Sequence, residues 1–267
     1  MVKVSNTTSR IEELTRDINS VIKTGSLKKT LANRLRGRMQ FAENQIFGRL
    51  SRRALKAMAE HSTVGDERLS FEVKCLLSDF VESLNSNRPR LIDAAATTTW
   101  FIFTDAFYEK DAKVCVGLGG VLINSCGEIV EYFSEPAEAD LCVLMGHGEK
   151  GTIIFEAELL AVWIAMKAWK HMLAGSMIVF YVDNDSVRGA YAASTTRCGF
   201  VGKLIENLNI FEEEFHINIW VARVPTRCNI ADPPSRFDCS IFERLSAKRI
   251  FPKITIESLK RSGGGAG

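Results

Sequence analysis

The sequence has 267 residues, of which 46% are hydrophobic and 25% are charged, which is ordinary for a soluble globular protein. This length allows one or two domains, each long enough to bury a core of its own. The formal net charge of +2 is too small to indicate an acidic or basic partner by itself. No apolar run approaches the roughly 20 residues of a membrane span, so we expect no membrane partner.

The seven cysteines are scattered along the chain, and no two of them form a Cys-x-x-Cys pair. Disulfide frameworks favour an even number of cysteines, and zinc sites favour closely spaced ones. The cysteines therefore predict free thiols in a reducing compartment. We expect a nuclear or cytoplasmic location.

The N-terminal region, residues 1–92, carries a helical pattern. Apolar residues recur at helical spacing in three stretches, at 11–22, 27–39 and 69–84. No segment of this region shows the signal of a strand. The polar segment 85–90, which contains Pro89, marks a domain boundary. We predict a helical region that ends near residue 92.

The pattern changes after residue 97. Apolar runs at 100–105, 114–123 and 128–133 indicate strands, and residues 124–127 (Asn-Ser-Cys-Gly) suit a hairpin turn. Next come a helical pattern at 156–171, a strand at 177–182, a helix at 200–215 and a strand at 217–221, with a terminal helical segment near Asn229. This order predicts an α/β domain at 97–250, built from a mixed sheet with flanking helices. Residues 251–267 are predicted to be a tail.

Four acidic residues occupy informative places in this order. Asp105 is predicted to end the first strand, and Asp183 to end the fourth. Glu158 is predicted in the first turn of the helix between them, and Asp232 follows the last strand. Loops converge at strand ends in open α/β sheets, so these carboxylates can meet. Carboxylate oxygens suit Mg²⁺ or Mn²⁺, and two such ions about 4 Å apart can clamp the attacking and leaving oxygens of a phosphodiester displacement.

Each acid also has an ordinary structural interpretation when it is taken alone. An Asp at a strand end is usually a turn or cap residue. Glu158 could complement a helix dipole, and Asp232 could cap the last helix. The occurrence of all four in this order favours the metal site.

Four short motifs resemble those of the ribonuclease H domain in reverse transcriptases of retrotransposons and pararetroviruses. They are residues 103–106 (FTDA), 157–161 (AELLA), 181–184 (YVDN) and 229–236 (NIADPPSR). The resemblance implies a ribonuclease H-like fold with two Mg²⁺ or Mn²⁺ ions. It also implies that Asp105 and Asp183 are shared metal ligands, and that Glu158 and Asp232 complete the two sites.

Two nearby acids and two histidines need to be considered beside this match. Glu156 and Asp185 are rivals, but the Glu-Leu-Leu-Ala match favours Glu158 and the strand end favours Asp183. Cellular ribonucleases H often have a mobile histidine before the last aspartate, and none occurs at a matching place here, since His216 precedes the final strand. His147 is predicted to be a loop residue rather than a ligand.

A basic segment lies between residues 23 and 56, which contains eight lysines and arginines and a single acidic residue, Glu43. It predicts a track for nucleic-acid phosphates, with a solvated helical face as the alternative. Residues 31–55 resemble the region that joins the polymerase thumb to ribonuclease H in reverse transcriptases. The candidate phosphate contacts are Arg34, Arg38, Arg49 and Arg52.

The sequence lacks the Tyr-x-Asp-Asp motif of a polymerase. We therefore expect the C-terminal part, or a remnant, of a reverse transcriptase, and a polymerase domain on another chain is a candidate partner. The predicted activity is metal-dependent endonucleolytic hydrolysis of the RNA strand of RNA–DNA hybrids. One alternative is a catalytically inactive ribonuclease H-fold scaffold or nucleic-acid-binding subunit of a larger complex. Another is a transposase or DNA exonuclease of the same broad fold.

Overall fold

The computed structural model describes residues 2–49, 51–64, 67–92, 98–194 and 199–259. The chain divides into two compact units, and the division falls between residues 96 and 97. Of the helices in the described ranges, none is long and apolar enough to cross a lipid bilayer.

The first unit is mainly helical. Its elements in chain order are β1 (Val2–Val4), α1 (Thr8–Thr24), α2 (Lys29–Glu43), α3 (Arg52–Val64), α4 (Phe71–Ser86) and β2 (Arg90–Ile92). The three predicted helical stretches are confirmed as α1, α2 and α4. Their periodic apolar residues form one core, in which Leu14, Ile18, Met39, Leu77 and Phe80 are fully buried.

The prediction of no strand in this unit was wrong. Val2 pairs with Ile92 and Val4 with Arg90, so β1 and β2 form a two-stranded antiparallel sheet. Each strand has only three residues. That length is too short for an alternating pattern to be recognised against its surroundings.

The second unit contains a mixed sheet with flanking helices, and this confirms the predicted fold class. The strands are β3 (Thr99–Tyr108), β4 (Val116–Ile123), β5 (Ile129–Pro136), β6 (Met177–Val182), β7 (Asn218–Arg223) and β8 (Lys248–Arg249). Their order across the sheet is β7-β6-β3-β4-β5-β8. The first three form antiparallel hairpins, while β6 runs parallel to both β3 and β7. The strand that contains Asp105, β3, and the strand that Asp183 follows, β6, are therefore neighbours near the centre of the sheet.

The helices of this unit are α5 (Ala139–Met145), α6 (Ile154–Leu173), α7 (Asp185–Ala193), α8 (Gly199–Glu214), α9 (Asp232–Ser235) and α10 (Ser240–Arg244). Helix α6 lies deepest: Leu159, Leu160 and Trp169 are fully buried in the core. The sequence pattern did not predict α5, α7 or β8. Part of the predicted tail also packs on this unit, because Ile254 is buried in the same core.

Candidate active site and nucleic-acid surface

Asp105 lies inside the sheet rather than at a strand end. β3 continues for three residues beyond it, because the pairing with β4 extends to Tyr108. The Asp105 side chain is buried, and both of its oxygens accept hydrogen bonds. The Ser235 hydroxyl donates to Oδ2 at 2.6 Å, and the Asn229 amide donates to Oδ1 at 3.4 Å. Asn229 also donates to the Thr104 carbonyl at 3.1 Å, which fixes the amide against β3.

Glu158 and Asp183 lie on the elements next to β3. Asp183 directly follows β6, as predicted, and β6 pairs with β3 over five residues that end at Tyr181. Glu158 is the fifth residue of α6, so it lies in the second helical turn and not in the first. Its Oε1 accepts a hydrogen bond from the Asn184 amide at 3.1 Å.

The carboxyl groups influence one another electrostatically. Burial raises the pKa of Asp105 from 3.8 to about 7, the Ser235 hydrogen bond opposes this rise, and the charges of Asp183 and Asp232 add to it. Burial likewise raises the pKa of Glu158 from 4.5 to about 8, against the Asn184 hydrogen bond, with further contributions from Asp183 and Asp105. The predicted acids therefore form one electrostatic site.

Asp232 lies at the edge of this site. It is the first residue of α9, its side chain is 32% exposed, and its Oδ1 pairs with Arg236 Nε at 3.1 Å. The Arg236 guanidinium lies over the Phe107 ring, 5.3 Å from its centroid. Asp232 thus has a cationic partner in its own helical turn.

Two glycines of β4 allow the 229–236 segment to lie directly on the sheet. A Cβ atom at Gly119 would lie 2.5 Å from both the Ala231 carbonyl oxygen and the Ser235 nitrogen, and one at Gly117 would lie 2.2 Å from the Ser235 carbonyl oxygen. Ser134 on β5 also donates a hydrogen bond to the Pro234 carbonyl at 2.6 Å. This close packing brings Ser235 to Asp105.

Sequence reasoning missed the residues that hold the carboxylates. Asn229 and Ser235 were quoted only as parts of a motif, and Asn184 only as the neighbour of Asp183. The run at 117–120 (GLGG) was treated as an ordinary strand. Three glycines in four residues of a central strand are themselves a signal of close backbone approach.

The donor set suits Mg²⁺ or Mn²⁺, which prefer carboxylate oxygens. Within the described ranges, Asp105, Glu158 and Asp183 have no lysine or arginine within ion-pair distance, although buried carboxylates normally have a cationic partner or a metal. No three histidine, cysteine, aspartate or glutamate side chains of the described residues are arranged to hold one ion together. The acids thus lie close enough to influence one another electrostatically, but they do not form a complete set of ligands around one ion. Their role as ligands stays a prediction.

The two rival acids have other partners. Asp185 pairs with Arg188 at 2.9 Å and with Arg223 at 3.3 Å. Glu156 pairs with Lys150 at 2.5 Å. These ion pairs give both acids a structural explanation that does not involve the carboxylate site.

The raised pKa of Glu158 predicts how stability depends on pH. The folded state binds this proton more tightly than the unfolded state, so its stabilising effect is present below about pH 4.5 and is lost as the pH rises through about 8. Each pKa unit corresponds to about 1.4 kcal/mol. In the presence of chelator, we expect the thermal unfolding midpoint of the wild type to fall between pH 5 and pH 8.

Glu158→Gln should flatten this dependence in part, because the amide does not titrate and its oxygen can still accept from Asn184. The remaining slope belongs to Asp105, whose pKa is also raised, to about 7. The control is Asp140→Asn, an exposed acid in the first turn of α5, which should unfold like the wild type. Parallel curves for Glu158→Gln and the wild type would contradict the prediction.

The four candidate phosphate contacts lie in the first unit. Arg38 pairs with Glu13 and Asp17, and Arg52 pairs through Nε with the buried Glu43 at 3.2 Å. Arg38 and Arg52 therefore have intramolecular acidic partners. The role of all four in binding stays a prediction.

Arg34 and Arg38 lie beside a cavity of about 500 Å³. Gly37 and Phe41 on α2 and Arg10 on α1 also line it. The Arg10 guanidinium lies over the Phe41 ring, 4.6 Å from its centroid. Arg49 lies outside this cavity, in the turn before α3, where its carbonyl accepts from the Arg52 amide at 3.0 Å.

No protein family and no curated protein matches this chain. Solved structures do match. Ribonuclease H1 from Halobacterium salinarum NRC-1 is 16% identical, covers 54% of this chain and 98% of its own, and has a TM-score of 0.43. The N-terminal ribonuclease H domain of rv2228c from Mycobacterium tuberculosis is 14% identical, covers 57% and 100%, and has a TM-score of 0.42.

The foamy viral protease-reverse transcriptase, solved with double-stranded DNA, is 14% identical, covers 57% of this chain and 99% of its own, and has a TM-score of 0.38. Likenesses at this level do not bear on activity. The second unit has the predicted mixed sheet with flanking helices, and the four motifs lie on the elements where they were predicted.

Proposed function

We propose that this chain is a metal-dependent endonuclease that hydrolyses the RNA strand of RNA–DNA hybrids. One observation carries the proposal. Three carboxylates from adjacent elements share one electrostatic site, and Asp105 and Glu158 are buried there with raised pKa values. Concentrating negative charge in this way costs stability, and a site for divalent cations accounts for that cost.

The residues of the chain have separable roles in this proposal. Asp105 and Asp183 would hold ions between β3 and β6, and Glu158 and Asp232 would complete the two sites. Ser235 and Asn229 keep the Asp105 carboxylate in one orientation. When bound, two divalent ions supply Lewis acidity at the attacking and leaving oxygens of the phosphodiester.

Asn184 has the corresponding task for Glu158. Its side-chain oxygen accepts from the Ser186 amide at 2.8 Å and caps α7, while its side-chain nitrogen donates to Glu158 at 3.1 Å. The cap fixes the amide, and the amide in turn fixes one oxygen of Glu158. A carboxylate held in this way loses little side-chain entropy when it binds an ion.

The helical unit supports a retroelement origin and a role in gripping the hybrid. The stretch 31–55, which resembles the segment between thumb and ribonuclease H, includes most of α2 and the beginning of α3. Arg34 is exposed on α2 beside the cavity that Phe41 and Gly37 line. A cavity lined by guanidinium groups and an aromatic ring suits a phosphate and an apolar sugar or base surface. We infer that the chain is the C-terminal part or a remnant of a reverse transcriptase, with a polymerase domain on another chain as a candidate partner.

Replacing Arg34, Arg38, Arg49 and Arg52 with Ala should weaken hybrid binding and flatten its salt dependence. Removing the side chain that neutralises one phosphate should reduce the slope of log affinity against log salt by about 0.9. The effect should be the same for hybrids of any sequence, because phosphate contacts carry no base information. Binding against salt concentration is measured beside thermal unfolding, since Arg38 and Arg52 also form ion pairs.

The single variants Arg34→Ala and Arg16→Ala are a matched pair. Both arginines are exposed on helices of the same unit, and Arg16 lies outside the residues that line the cavity. Only Arg34→Ala should flatten the salt slope. An unchanged slope in a stably folded quadruple variant would show that this positive face is merely solvated.

A catalytically inactive scaffold is the second candidate, and three contacts favour it. Asp232 already pairs with Arg236, and both Asp105 oxygens already accept hydrogen bonds from protein groups. A carboxylate network that is satisfied in this way needs no metal for the fold to hold. Titration of the full chain with Mn²⁺, with binding measured by calorimetry, separates the two candidates. The nuclease should bind about two ions at the carboxylate site, and Asp183→Asn should weaken that binding, whereas a chain that binds no Mn²⁺ would be a scaffold.

A further inference from the structure

A second cluster of reactive side chains lies outside the carboxylate site. The His147 imidazole lies between a phenol and a thiol: its Nδ1 is 3.3 Å from the Tyr108 hydroxyl, and its Nε2 is 3.7 Å from the Cys115 sulfur. Tyr108 is the last residue of β3, and Cys115 directly precedes β4. His147 lies in the loop after α5, as predicted. The function proposed above uses none of these three side chains.

The backbone of this loop positions the imidazole. Gly146 and Gly148, on either side of His147, have φ angles of 105° and 88°, which side chains rarely tolerate. The Gly146 turn ends α5, and the His147 amide donates to the Cys142 carbonyl at 2.9 Å. The loop is therefore anchored to α5 next to the imidazole.

We propose that Cys115 is a reactive thiol, activated by His147, and that it is a site of covalent modification by hydroperoxides and other soft electrophiles. In the tautomer with the proton on Nδ1, the Tyr108 oxygen accepts from His147, and the Nε2 lone pair is available to the thiol, whose S–H also lies 3.6 Å from the Ala112 carbonyl. As the sulfur attacks an electrophile, Nε2 takes the thiol proton and becomes the imidazolium. This is the arrangement of a nucleophile, its base and a group that orients the base.

The oxidation step balances with a hydroperoxide as the oxidant. The Cys115 sulfur attacks one peroxide oxygen, so that an S–O bond forms while the O–O bond breaks. The leaving alkoxide takes the proton from the His147 imidazolium and departs as an alcohol, or as water when the oxidant is hydrogen peroxide. The sulfur is oxidised by two electrons to a sulfenic acid, and the hydroperoxide is reduced by two.

The other thiols of the chain provide internal comparisons. Cys75, Cys126 and Cys228 are exposed, whereas Cys115 is half-buried and therefore less accessible. In the described ranges, no imidazole lies within hydrogen-bonding distance of those three thiols. Cys142 is buried, and burial raises its pKa to about 11, so it stays protonated. Exposure alone would rank Cys126 above Cys115, and activation by His147 reverses that order.

The test measures the reactivity of each cysteine in the fully reduced, full-length chain. Limiting hydrogen peroxide is added, sulfenic acid is trapped with a cyclic 1,3-diketone, and labelling at each cysteine is followed by peptide mass spectrometry. A parallel series uses iodoacetamide. In both series Cys115 should react about ten-fold faster than Cys126.

His147→Asn should remove this advantage and leave the rates at Cys126 and Cys228 unchanged. The buried Cys142 should stay unlabelled, which shows that the chain is still folded. Tyr108→Phe should reduce the rate at Cys115 to a smaller degree, because the imidazole remains but is no longer oriented. Faster labelling of Cys126 than of Cys115 in the wild type would overturn the proposal. An unchanged Cys115 rate in His147→Asn would overturn it equally.

Discussion

Asp183→Asn is expected to lower hybrid cleavage by about a thousand-fold or more at equal metal concentration, which corresponds to about 4 kcal/mol of transition-state stabilisation. Asp183 is the acid whose charge acts on both Asp105 and Glu158. Losing it removes a charged ligand from the centre of the site. The fold should remain intact or become slightly more stable, because the same substitution relieves repulsion among the carboxylates.

Asp185→Asn is the matched control for this variant. The acid lies two residues further along the chain and pairs with Arg188 and Arg223 instead of facing the carboxylates. Its replacement should change cleavage by no more than a few-fold. Cleavage rates and thermal unfolding of both variants are measured side by side. Wild-type cleavage by Asp183→Asn would refute the role given to this residue.

Gly119→Ala is expected to lower cleavage by roughly a hundred-fold and stability by about 1–3 kcal/mol. The added Cβ would lie 2.5 Å from the Ala231 carbonyl oxygen and from the Ser235 nitrogen, both of them backbone atoms. The 229–236 segment must therefore move away from β4. That movement withdraws the Ser235 and Asn229 hydrogen bonds from the Asp105 carboxylate.

Gly189→Ala is the matched control, because it adds the same methyl group to α7 where nothing lies within 4 Å. It should leave cleavage unchanged and stabilise the helix slightly. Ser235→Ala isolates the hydrogen bond from the steric effect, and it should lower cleavage in a stably folded chain. Gly119→Ala with wild-type stability and cleavage would show that the glycine is not needed for this close approach.

The sequence predicted those parts of the fold that local patterns encode. The helical spacing in α1, α2 and α4 and the hairpin between β4 and β5 appeared where they were expected. The predicted end of β3 was wrong because the length of a strand depends on its partner strand. Pairing with β4 extends β3 beyond Asp105 to Tyr108. The N-terminal pair of strands was missed because it depends on a partner about 90 residues away rather than on a local pattern.

In the candidate site, too, local motifs predicted some residues, while residues that depend on long-range contacts were missed. The four acids could be chosen from motifs and from their order along the chain. The groups that orient them could not, because Asn229 and Ser235 reach Asp105 across 124 and 130 residues of sequence. The composition of β4 did contain a clue, since the backbone of the 229–236 segment approaches the sheet closely at Gly117 and Gly119. Only the sheet register shows that these glycines lie beside β3.

Cleavage of a labelled hybrid tests most directly whether the carboxylates serve metal-dependent hydrolysis. The RNA strand of an RNA–DNA hybrid carries the label, and the full chain is incubated with Mg²⁺, with Mn²⁺ or with chelator. A DNA duplex of the same sequence is the comparison substrate. We expect the RNA strand to be cut internally with either ion, to stay intact with chelator, and the DNA duplex to survive throughout. A folded chain that binds the hybrid and leaves its RNA strand uncut with both ions, or that cuts the DNA duplex equally well, would contradict the proposed function.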